Sequence, residues 1–141
     1  MKAFLTLFSL PIFSFFANAQ APANDNCAGL VNLGTVPYCS SPAQYTNVNA
    51  TTSVIDLPGA NVPACFNNSA ERDVWFQFTL PADGSILDIE ISVYGNVGGN
   101  GTMQMPQVAI YRGTCTFGEL AELDCAAAPL NVNEVYLQQF G

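Results

Sequence analysis

The chain has 141 residues, half of them hydrophobic, with three Lys and Arg against eleven Asp and Glu, no His, five Cys and a formal net charge of −8. That length holds one domain. A surface so poor in cations has little with which to neutralise phosphates, which excludes nucleic acid and anionic lipid as partners and leaves cations, neutral glycans and proteins.

Met1-Lys2 is a short positive start, residues 3–16 are an apolar run, and Ala17-Asn18-Ala19 is a small-x-small site before Gln20. This order predicts a secretory signal peptide over 1–19. A membrane anchor is the competing reading, but the run is short, contains Pro11, and falls below the roughly 20 apolar residues a spanning helix needs. Removing 19 residues from 141 leaves 122, with Arg72 and Arg112 facing eleven carboxylates, so the net charge becomes −9. Export puts the chain outside the cell or on its surface, without membrane insertion once the leader is gone. Disulfides are then the default state of its cysteines.

Residues 20–26 are polar and contain Pro22, which predicts an exposed lead-in to a domain over 27–141. Asn24-Asp25-Asn26-Cys27 reads as a turn tied down by a disulfide, and Leu30 and Leu33 mark a short strand within 28–36. Residues 45–54 are rich in β-branched side chains with polar alternation, which predicts an outer strand with one wet face. Residues 56–72 carry Pro58, Gly59, Pro63, Asn67 and Asn68 and read as a long loop tethered by Cys65.

The clearest strand is 73–80, with Val74, Phe76, Phe78 and Leu80 on one face and Asp73, Trp75, Gln77 and Thr79 on the other. If the four apolar residues are buried, each gains about 1.5–3 kcal/mol, an upper bound of about 6–12 kcal/mol in all. Pro81-Ala82-Asp83-Gly84 is a turn, and the alternating run 85–94 reads as its antiparallel partner. The Gly/Asn excursion at 95–101 suits variation or binding, and further strands follow at 107–111, 119–125 and 134–140. Short strands between turn signals predict an all-β fold, an antiparallel β-sandwich. The stop at Gly141 after an apolar strand fits either a terminal edge strand or a domain truncated at its C-terminus.

Cys115 and Cys125 lie ten positions apart across an apparent turn and are the expected disulfide, worth about 2.5–3 kcal/mol in the chain-entropy model. Cys27, Cys39 and Cys65 leave one odd thiol, whose partner is intermolecular or lies beyond residue 141.

Asn24-Asp25-Asn26-Cys27 after a leader, Asp73-Val74-Trp75-Phe76-Gln77-Phe78, Ile110-Tyr111-Arg112-Gly113-Thr114-Cys115 and Leu123-Asp124-Cys125 together resemble one bacterial module. It is a β-sandwich near the front of large secreted and cell-surface proteins of gliding Gram-negative bacteria, similar to pre-peptidase C-terminal and CUB-like domains. The resemblance covers most of 24–141. It implies a jelly-roll-like, non-catalytic accessory domain, often beside a protease or adhesin region and often exported by a type IX system. The family continues into a Pro-Gly turn and a Tyr-rich strand that are missing here, and the 95–101 excursion is longer than its members have.

After the leader the sequence has no His and no Lys, so Ser-His-Asp, Cys-His and Ser-Lys arrangements lack their base and His-based metal sites lack ligands. Paired carboxylates are the remaining acid–base route, with Glu71, Asp73, Asp88 and Glu90 as candidates. No cofactor is expected. A structural calcium held by Asp73 and Asp88, joined by Asp25 or Asp124, is the one open alternative, although no D-x-D-x-D-G loop occurs. Trp75 is the candidate ligand platform, with Tyr94, Tyr111 and Tyr136 as further aromatics.

The function expected is a non-catalytic adhesion or accessory module whose partners are other domains of its own protein, surface proteins or glycans. The alternative is a carbohydrate-binding domain attached to a secreted hydrolase. An exposed Trp75 flanked by polar side chains favours the second and a fully covered one the first.

Overall fold

A computed structural model of the chain describes residues 20–52, 63–66, 72–82, 88–96, 98–99, 101–116 and 119–140. The expected leader over 1–19 lies outside these residues, as do Glu71, residues 83–87 and most of the 56–72 loop. The described residues are all-β. After a single 3-10 turn at Cys27–Gly29 come β1 (Val31–Thr35), β2 (Phe76–Thr79), β3 (Asp88–Tyr94), β4 (Gln107–Arg112), β5 (Ala121–Ala127) and β6 (Glu134–Phe140). No helix among them is long and apolar enough to cross a membrane.

β3 and β6 pair antiparallel over seven positions, from Asp88 opposite Phe140 to Tyr94 opposite Glu134. The period-2 pattern of β3 turns Ile89, Ile91 and Val93 toward cover while Asp88, Glu90, Ser92 and Tyr94 stay exposed. Residues directly opposite share a face, so Ile91 meets Leu137 and Val93 meets Val135. The core sits here and against β4: Leu137 is 2% exposed, Val135 4% and Ile110 5%.

β4 and β5 form the second antiparallel pair, with a register shift that sets Ile110 opposite Asp124 but Tyr111 opposite Glu122. Leu123 is the additional residue and is exposed, as at a β-bulge. The connection narrows at Gly113 (φ 132), where an added Cβ would collide with the Glu119 carbonyl. Glycine alone fits there. β1 and β2 pair in parallel, and the shift between Asn32 and Thr35 is taken up by Gly34 at φ 81, whose amide donates to Asn32 Oδ1 (2.8 Å).

Four expectations are corrected. β2 is shorter than 73–80 and lies parallel to β1, because β6 offers β3 a full-length apolar match that the four residues of β2 cannot. The apolar face of β2 is not sealed. Phe76 is 36% and Leu80 43% exposed, and with Phe78, Ile89, Ile91 and Val108 they line an open cleft of about 1630 Å3. Residues 45–52 form no strand, since the chain turns at Asn49 (φ 62) and buries Ala50, while the Tyr45 ring stands edge-on to Phe76 at 4.8 Å. The lead-in 20–26 is not exposed throughout: Asn24 and Asp25 are 6% and 7% exposed.

The disulfides are also re-drawn. Cys27 bonds Cys115 and Cys65 bonds Cys125, closing separations of 88 and 60 residues, while Cys39 is a free, exposed thiol. The Cys115–Cys125 pairing fails on hairpin geometry. Cys125 lies opposite Ala109, four residues along β5 from Ala121, whereas Cys115 lies past the end of β4. Four strand residues span about 13 Å, beyond the roughly 7 Å Cα limit of a disulfide. Loops this long make each observed bond worth about 4–5 kcal/mol in the chain-entropy model.

Candidate functional site

Trp75 lies one residue before β2, and the N-terminal turn fixes its backbone. Its amide donates to the Asn24 carbonyl (2.9 Å), and its carbonyl accepts from Asn24 Nδ2 (3.1 Å) and from the Val31 amide (3.1 Å). The next residue, Asp25, accepts from both the amide and the hydroxyl of Thr51, the latter at 2.9 Å. Two residues on, Cys27 is bonded to Cys115. Asn24-Asp25-Asn26-Cys27 is therefore a three-way fastening to the start of β2, to the 47–51 turn and to the end of β4. Sequence reasoning saw only a turn and a disulfide. The signal for more was two short polar side chains beside a cysteine, a composition suited to bonding backbone groups.

The Trp75 ring is half-buried. Its Nε1 donates to Asp73 Oδ2 (3.0 Å), and its centroid lies 5.7 Å from that of Tyr111 at 37°. Burial, then the negative charges of Glu122 and Asp73, push the Tyr111 hydroxyl up to about 12. Glu122 also accepts from the Ala64 amide (3.2 Å), next to the Cys65–Cys125 bond. Trp75 is thus neither a bare platform nor fully enclosed. One edge of its π-system and its only donor are held by the protein itself.

Among the described residues no three His, Cys, Asp or Glu side chains are grouped to hold a metal. Asp25 serves Thr51, Asp73 serves Trp75, and Asp124 accepts from the Cys125 amide (2.8 Å). Asp88 and Glu90 stand on the outer face of β3, whereas Asp73 lies three residues before β2, a strand of a different sheet.

That outer face is the second site. Alternation and register place Asp88, Glu90, Ser92 and Tyr94 of β3 beside Glu134, Tyr136 and Gln138 of β6. Tyr94 is 54% and Tyr136 49% exposed. The Tyr136 hydroxyl is raised above the ordinary tyrosine value by desolvation first, then by Glu90 and Asp88. Both tyrosines were visible as aromatics in the sequence, but their adjacency depends on the β3–β6 register.

Comparison of the chain with protein-family models, with curated proteins and with solved structures gives no match.

Proposed function

We propose that the chain is a non-catalytic, extracellular adhesion or accessory module. The observation that carries this reading is the pair of long-range disulfides cross-linking a small β framework, the economy of a domain working in an oxidising compartment. The covered carboxylates Asp25, Asp73 and Asp124 are each bonded to the scaffold itself, an arrangement that favours structural over acid–base work. The half-buried Trp75, tied to Asp73 and packed on Tyr111, favours this module over the carbohydrate-binding alternative.

The test uses beads bearing the disulfide-bonded chain, passed over protein-coated and glycan-coated surfaces, alongside turnover assays on glycoside and ester substrates. Retention on protein, unaffected by Trp75→Ala, is the expected result. Glycan-selective retention abolished by Trp75→Ala establishes the carbohydrate-binding reading instead, and turnover overturns both.

A further inference from the structure

The β3–β6 sheet has one face buried and one face open, and the open face has a particular chemistry. Three carboxylates, Asp88, Glu90 and Glu134, surround two exposed tyrosines. Tyr94 stands directly opposite Glu134, and Tyr136, opposite Ser92, is diagonal to both Tyr94 and Glu90. Diagonal neighbours on a sheet lie about 7–8 Å apart, so the two rings lie within reach of one extended side chain, while Asp88, six residues along β3 from Tyr94 and about 20 Å away, meets a further basic group of the same segment. The described cations, Arg72 and Arg112, belong to other parts of the fold, before β2 and at the end of β4. The platform is rigid because the same two strands bury Val135 and Leu137 on the reverse side.

We propose that this face docks an arginine- or lysine-bearing segment of a protein partner. The proposal rests on the adhesion-module reading and names the chemistry of its partner. Charge complementarity selects the occupant: covering three carboxylates with a neutral surface leaves their charge uncompensated, whereas a guanidinium or ammonium group compensates it. Tyrosine faces add a cation–π attraction to the same groups, with arginine favoured for its planar head. A glycan would stack on the rings through apolar C–H faces and would gain nothing from the flanking negative charge. The strongly acidic character of the whole chain accelerates encounter with a basic partner but does not localise it. Localisation has to come from the tyrosines.

The experiment titrates the full, disulfide-bonded chain with a labelled oligoarginine peptide, reading anisotropy at two salt concentrations, and maps the bound peptide by backbone amide NMR shifts. Shifts concentrated at residues 88–94 and 134–138 are expected. Tyr94→Ala and Tyr136→Ala, which leave the charge unchanged, should each weaken binding about 2- to 5-fold, the worth of one exposed cation–π contact. Glu90→Gln should do the same, while Glu119→Gln, an equal charge change on the β4–β5 connection, should not. Equal losses for Glu90→Gln and Glu119→Gln, or shifts spread over the whole surface, overturn the proposal in favour of unlocalised electrostatics. A neutral glycan that shifts the same amides more strongly than oligoarginine overturns it in favour of a sugar site. In either case retention of a protein ligand through another surface leaves the module reading intact, whereas glycan capture dependent on Trp75 removes both.

Discussion

Asp25→Ala removes the acceptor that joins the N-terminal turn to residue 51. Asp25 is 7% exposed and receives two hydrogen bonds from Thr51. A hydrogen bond to a charged group contributes about 1.5–3 kcal/mol. Thr51 is exposed, so its donors recover water when the carboxylate is lost, and the two bonds share one acceptor group. The net loss is then about 2–4 kcal/mol, large beside the 5–15 kcal/mol that hold a typical domain of about this size. With a urea m-value of about 1–3 kcal/mol/M, the unfolding midpoint should fall by about 1–2 M at unchanged slope. Asp25→Asn keeps one acceptor oxygen and should cost about 1 kcal/mol. A double-mutant cycle with Thr51→Val isolates the hydroxyl bond and should give a coupling of about 1 kcal/mol. The reasoning is refuted if Asp25→Ala unfolds within about 0.5 kcal/mol of the parent, the range of an ordinary surface change.

Tyr111 makes stability pH-dependent at the alkaline end. Its folded-state value of about 12 lies above the roughly 10 of an unfolded chain, so the native state keeps a proton that the unfolded state has released. Stability from this group is complete below pH about 10 and is lost as pH rises toward 12. Tyr45 and Tyr136 are raised in the same direction and add to the slope, so the check is the difference between parent and Tyr111→Phe. Identical slopes in that window would remove Tyr111 from the account. Thiol mapping tests the cross-links. One thiol per native chain, Cys39, should react with an alkylating reagent, and digestion should yield peptides joining Cys27 to Cys115 and Cys65 to Cys125. A fragment joining Cys115 to Cys125 would show the hairpin argument to be wrong.

β3 and β6 were legible in the sequence because each carries its own alternation. Ile89, Ile91 and Val93, like Val135 and Leu137, report a face without reference to any partner. What alternation cannot report is which strand supplies the other half of the ladder. β2 reads as strongly as β3, yet its partner is β1, and its apolar side opens on a cleft. Periodicity measures the capacity for burial, and cover comes from elsewhere in the chain. The site follows the same division. Trp75 could be named from its type, but the groups that hold it, Asn24 and Tyr111, lie 51 and 36 positions away in a chain where only local spacing is visible. Cys115 and Cys125 misled for the opposite reason: proximity in sequence suggested a bond that strand rise forbids.

The Cys27–Cys115 bond has a mechanical consequence. Tension applied between the two ends of the folded chain enters at residue 27 and crosses the covalent bond to residue 115, bypassing everything between them. The 88-residue separation corresponds to about 300 Å of extended chain, none of which can pay out while the bond is intact. Under load the oxidised chain behaves as a short, stiff link; reducing this bond alone lets out residues 27–65, about 130 Å, because Cys65–Cys125 still bypasses the rest, and the full length is released when both bonds are reduced.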